Sequence, residues 1–136
     1  MSQLEEWIND KLKSEKGGLI TSVSTEGKIQ RIYGPRADFA HVVLYFEPAD
    51  KFIFKSEVNW PIKNDEFNSA VMRGVLDTIT SEFPRYWYTN FSVTLKEIKY
   101  HPVDSSERSF YQASRNAVEK LVFEHRNEKS IFKSHL

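Results

Sequence analysis

The sequence predicts an α+β fold, a two-layer, mainly antiparallel sheet packed by two helices. Three observations predict it. Period-two alternation gives way to helical period and returns, two long segments carry apolar stripes at helical spacing, and each stripe has only one face to bury. A sheet covered on one side satisfies both helices. With 136 residues, 40% of them hydrophobic and 14% aromatic, the chain has the size and apolar content of one domain with its own core.

The elements follow in order. Leu4, Trp7, Ile8 and Leu12 recur at helical spacing with Glu5, Asp10 and Lys13 between them, which predicts an amphipathic helix over residues 2–14 within an N-terminal extension, 1–16. Gly17-Gly18 ends it. LITSVS and KIQRIY flank Thr25-Glu26-Gly27, a glycine-containing turn, and predict a first hairpin. Phe39–Glu47 (FAHVVLYFE) and Phe52–Val58 (FIFKSEV) are rich in β-branched and aromatic residues and predict a second hairpin across Pro48-Ala49-Asp50-Lys51.

After Trp60-Pro61 the period changes. Phe67, Ala70, Val71, Gly74, Val75 and Ile79 share a helical face, with Asn64 or Asp65 as N-cap and an end before Phe83-Pro84. Trp87–Ile98 then alternates, Phe91, Val93 and Leu95 against Ser92, Thr94 and Lys96, as a half-buried strand does. Phe110, Ala113, Ala117, Leu121 and Val122 predict the longest helix, running from Ser105 to about Phe123. Residues 124–136 lose the pattern and are expected to fray as a tail. No repeat or linker-like tract divides residues 1–136, so one domain is expected.

Nineteen basic and nineteen acidic side chains cancel, so no global field draws the chain to nucleic acid or anionic lipid, and any such contact must be local. Without cysteine, disulfides and thiolate metal sites are excluded. The four histidines have no metal-ligand spacing, and neither G-x-x-x-x-G-K-[ST] nor G-x-G-x-x-G occurs. The expectation is no cofactor, no nucleotide and no metal. A secretory h-region and an 18-residue apolar run are both lacking, which predicts a cytoplasmic protein without a membrane partner.

Tyr100 to Phe110, YHPVDSSERSF, gathers a histidine, an aspartate, serines and a glutamate within a few positions. Groups of a hydrolytic triad normally converge from separate elements, whereas these sit on one short loop. The structural reading is a helix cap, with Asp104 or Ser105 opening the last helix and Glu107 at the N3 position of a capping box. His101, before Pro102, is either an idle solvated residue or a tip residue presented to a partner, able to hydrogen-bond or stack on a base. Gly34-Pro35-Arg36-Ala37-Asp38 is either a plain turn or, if it lies beside His101, part of a small basic tip suited to phosphate. His41 reads as a packed or partly exposed strand residue. Arg85-Tyr86-Trp87-Tyr88 would suit base stacking, although three rings finishing a core are the simpler reading.

The segments GPRADFAHVVLYFEP, EFNSAVMRGV and SVTLKEIKYHPVDSSERSFYQASRNAVEKL give the chain a resemblance to the fourth domain of bacterial translation elongation factor G, over roughly residues 18–123. The most specific block is close to Y-H-x-V-D-S-S-E, matched by Tyr100, His101, Val103, Asp104, Ser105, Ser106 and Glu107, with Phe110 and Ala113 following. The resemblance implies a two-layer α+β unit whose tip loops enter the ribosomal decoding region, and it identifies the chain as similar to a stand-alone relative of that domain. One tip loop holds the histidine that His101 matches. The other is a G-G-R-G-type segment at Gly34, Pro35, Arg36 and Ala37, where proline and alanine stand in for glycines and remove access to positive φ.

A non-enzymatic module that binds the ribosome or structured RNA is therefore expected. Arg36, His101, Gly34, Pro35 and Tyr100 are its candidate contacts. The rival expectation is a protein-interaction or homodimerising module that keeps the fold without binding RNA, using Arg85–Tyr88 or the N-terminal helix.

Overall fold

The computed structural model describes residues 17–19, 22–61, 66–82, 91–125 and 132–134. The strands are β1 (Gly17–Leu19), β2 (Val23–Tyr33), β3 (Arg36–Pro48), β4 (Ile53–Ser56), β5 (Phe91–Lys99) and β6 (Phe132–Ser134). The helices are α1 (Glu66–Glu82), between β4 and β5, and α2 (Glu107–His125), between β5 and β6. The α+β architecture is the one the sequence predicts, a mixed four-stranded sheet with two helices. The N-terminal helix at 2–14, the Asn64/Asp65 cap and the Arg85–Tyr88 run lie outside the described residues.

Thr25-Glu26-Gly27 is not a turn. Strand β2 runs straight through it, paired with β3 from Val23↔Phe46 to Tyr33↔Arg36. Gly27 serves the packing instead: a Cβ there would lie 2.6 Å from the Ala117 amide nitrogen and 2.9 Å from the Ala117 Cβ, so the missing side chain lets α2 lie against β2. The Thr25 hydroxyl donates to the Ala117 carbonyl at 3.1 Å at the same crossing.

The second predicted hairpin is also corrected. The sheet order is β2-β3-β5-β4, so β5 inserts between β3 and β4, antiparallel to the first and parallel to the second. Residues 49–52 skip one strand, a gap of about 10 Å that four extended residues span. The physical reason is burial. Phe91 to Leu95 of β5 are all buried, whereas Lys55, Ser56 and Glu57 in and just after β4 are exposed, as suits an edge. Ser92 and Thr94, expected on an open face, are buried between longer cross-strand neighbours, Glu47 and Ile53 beside Ser92, Tyr45 and Lys55 beside Thr94.

The core lies between the helices and one face of the sheet. Ala40, Val42, Leu44 and Phe46 of β3 meet Phe91, Val93 and Leu95 of β5, Phe54 of β4, and Phe67, Val71, Val75 and Ile79 of α1. Phe110, Ala113, Ala117 and Leu121 of α2 close it, so both helical stripes face inward as read from the sequence. A register shift between Val43 and Leu44 leaves Lys96 as the extra residue of β5. The bulge reverses the strand's facing, and Ile98 and Tyr100 pack on the core where unbroken alternation would have turned them out. Residues 124–136 do not simply lose structure, because α2 continues to His125 and β6 pairs antiparallel with β1, Leu19↔Phe132 to Gly17↔Ser134.

Candidate functional site

The candidate residues meet at one end of the sheet. Strand β3 starts there, and β5, antiparallel to it, ends there, so the β2–β3 turn and the loop after Lys99 emerge on the same side. The turn is tighter than a loop over 34–38. Only Gly34 and Pro35 lie outside the strands, and Arg36 is already paired by backbone with Tyr33. Gly34 has φ +57°, a value open to glycine at the first central position of a two-residue hairpin turn, followed by the fixed negative φ of Pro35. Closure thus uses positive φ at the one position that keeps glycine. Pro35 and Ala37 leave it undisturbed.

The second loop is stitched to β3. The Phe39 amide donates to the Asp104 carbonyl at 3.0 Å, and the Ser105 hydroxyl donates to the Phe39 carbonyl at 2.8 Å. Arg36 begins three residues before Phe39, so the hairpin tip projects roughly 10 Å beyond the stitch. The two loops therefore form a stepped tip.

His101 organises the lower step. The amides of Val103 and Asp104 both point at its Nδ1, at 3.2 and 3.1 Å, so Nδ1 accepts and the remaining proton sits on Nε2. The ring closes the turn as an Asx side chain would and leaves Nε2–H as the donor of a half-exposed side chain. Asp104 Oδ2 lies 3.6 Å from the same Nδ1. The His101 amide donates to Ser105 Oγ at 2.8 Å, and the Ser105 amide to the His101 carbonyl at 3.0 Å.

Tyr100 is the anchor. Its ring stacks on Phe110 at 6.3 Å between centroids and meets Phe67 edge-on at 6.0 Å. Trp60 stacks on Phe67 at 5.1 Å, contacts Phe110 edge-on at 4.9 Å, and donates from Nε1 to Asn68 Oδ1 at 2.9 Å. Such ring pairs contribute about 0.5–1.5 kcal/mol each beyond area burial, so the strand end that launches His101 is held rigidly.

The helix cap differs from the expected one. Helix α2 begins at Glu107, and Ser106 is its N-cap: the Ser109 amide donates to Ser106 Oγ at 3.1 Å, and the Ser106 amide to Ser109 Oγ at 2.8 Å. Neither Asp104 nor Ser105 caps the helix, because their groups tie the loop to His101 and Phe39. Glu107 falls at the first helical position instead of N3. Its pKa is raised, first by a hydrogen bond with Glu66 at the start of α1, then by partial burial and the Glu66 charge, with Arg73 opposing. No serine hydroxyl of the loop is bonded to the imidazole among the described residues, so the triad groups do not converge.

Sequence reasoning missed the joint between residues 39 and 105, which nothing local signals. It also missed Ile32 and Val103, 80% and 82% exposed, one on each step of the tip. Their types alone suggested burial.

A family model described as elongation factor G, domain IV, matches residues 19–124. The elongation factor G of Carsonella ruddii (strain PV) is 34% identical over 114 residues, which cover 80% of this chain and 17% of that protein. The chain thus spans about a sixth of the length of that relative. A crystal structure from Thermus thermophilus superposes with a TM-score of 0.69 at 21% identity, over 77% of this chain and 16% of that one, a likeness in fold.

Proposed function

The chain belongs to the elongation factor G domain IV family, and from that premise we propose that it is a non-enzymatic module that binds the ribosome or structured RNA in the cytoplasm through its stepped tip. The observation that carries this reading is the pair of amides, of Val103 and Asp104, aimed at Nδ1 of the exposed His101 ring, which leaves Nε2–H as its donor. A preoriented donor costs little entropy on binding. Arg36, at the start of β3 on the projecting hairpin, would supply the charge, and guanidinium is suited to phosphate. Gly34 and Pro35 would shape the turn, and Tyr100 would hold the loop in register. A module of this kind performs no nucleotide hydrolysis itself.

The test is co-sedimentation with ribosomes through a sucrose cushion at low and moderate salt, wild type against Arg36→Ala/His101→Ala. Salt-sensitive association lost in the double variant is expected. Equal association of both proteins would refute the assignment of the tip.

A second reading, a protein-interaction or self-associating module, draws on the exposure of Ile32 and Val103, one on each step of the tip, which would have to form one contiguous apolar patch to mark a protein contact. A dimer that Ile32→Ser/Val103→Ser converts to monomer, with no ribosome association, would favour it.

A further inference from the structure

The sheet face turned away from the helices carries charge in ordered rows. Lys28 pairs directly with His41, and His41 directly with Lys99, so the three stand side by side across β2, β3 and β5. His41 alternates with the core residues Ala40 and Val42, which puts the whole row on the open face. The next row away from the tip is Glu26, Val43 and Glu97. Two cations face the tip and two anions lie behind them.

Lys28 and Lys99 are exposed and form no salt bridge among the described residues. Lys96 is engaged elsewhere, bonded to Glu57 at 3.2 Å and lying over the Tyr45 ring. Between the two exposed lysines, His41 has a side chain 13% exposed; its Nε2 is 3.3 Å from Glu26 Oε2 and its buried Nδ1 has no hydrogen-bond partner among the described residues. A surface cavity of about 470 Å³ beside the row is lined by His41, Lys96 and Lys99 and, on its far side from Lys28, by the carboxylates Glu57 and Glu97. Lys99 precedes His101 by two residues, so the row is continuous with the tip.

Resting on the reading of the tip as an RNA contact, we infer that Lys28 and Lys99, flanking His41, form a second contact for the phosphate backbone of that RNA. Two strand spacings put the lysine Cα atoms about 10 Å apart, and their flexible stems allow both to reach phosphates of one strand. The Glu26 and Glu97 row limits the contact to the tip-side half of the sheet. The polyanion therefore enters over the tip and stops at the row of Glu26 and Glu97.

The experiment compares wild type, Lys28→Gln/Lys99→Gln, Glu26→Gln/Glu97→Gln and Arg36→Ala/His101→Ala, using ribosomes and, separately, a short uridine oligoribonucleotide as probes. All the substituted positions lie at the surface or beside a turn, and a cooperative thermal transition confirms that each variant is folded. The lysine variant is expected to lose about tenfold in oligoribonucleotide affinity at low salt. Its slope of log K against log salt should be shallower by about 1.4, or 0.7 per lost phosphate contact. The glutamate variant should bind more tightly. Unchanged affinity and slope in the lysine variant would overturn the inference, and if the tip variant still lost ribosome association, the tip reading would survive alone. Oligoribonucleotide binding lost in the lysine variant, without ribosome association of the wild type, would uphold the row and sink the ribosomal reading. No binding of either probe would end both.

Discussion

Ser105 and Phe39, 66 positions apart, are joined by a 2.8 Å bond from the serine hydroxyl to the phenylalanine carbonyl. The Phe39 amide returns a bond to Asp104, so β3 treats the loop as a short continuation of its neighbour strand. Ser105→Ala removes that bond and leaves the His101 amide without its acceptor. A loss of about 1–2 kcal/mol in chemical denaturation is expected, with faster amide exchange at His101 than in the sheet centre. Full retention of stability and exchange protection would show that the stitch does not hold the loop.

The two roles of His101 are separable. Asparagine places an acceptor near the Nδ1 position and supplies no group at the Nε2 position, so His101→Asn should keep the turn while removing the outward donor. Stability is expected within about 0.5 kcal/mol of wild type, with ribosome association reduced several-fold. His101→Ala should lose both. If asparagine restored full association, the donor at Nε2 would have no part in binding.

Two glycines should respond differently to alanine. At Gly27 the added Cβ meets backbone and Ala117 at a helix–strand crossing, and a destabilisation of about 3 kcal/mol is expected. At Gly34 nothing lies within 4 Å, so only the φ of +57° is penalised, about 1 kcal/mol. Urea midpoints at constant m-value measure both. The reverse order would mean that the tip turn is more constrained than the packing of α2.

Glu107 sets a pH dependence of defined sign. Its folded pKa is raised by the hydrogen bond with Glu66, so the native state binds more protons than the unfolded chain in the window above the ordinary carboxylate value. Its favourable contribution is present below the unfolded pKa and is lost as pH rises through the raised one. Glu107→Gln should thus be more thermostable than wild type at neutral pH, with the difference closing as pH falls into the carboxylate range. A constant difference across that range would remove the Glu66 pairing as the cause.

Much of this molecule is written locally. The stripe from Phe67 to Ile79 and that from Phe110 to Val122 announce both helices and their buried faces, and alternation announces β3 and β5. The block around Tyr100 and His101 stands out by its pattern. Less legible were Gly27, read as a turn because glycine marks turns more often than crossings, and the cap, read as Asp104 or Ser105, one or two residues before the Ser106 that the structure uses. Tyr100 reads as a contact residue until the bulge at Lys96 turns its ring inward.

By itself the sequence determined the two long helices with their buried faces, and the strands β3 and β5 up to the bulge, because spacing along a few consecutive residues fixes side-chain direction for as long as the period holds. Only the tertiary structure decided that β5 enters between β3 and β4, that Phe39 meets Ser105, and that Lys28, His41 and Lys99 form a row. Those relationships join positions tens of residues apart, and they are chosen by which pairing buries the most apolar surface while satisfying every backbone group.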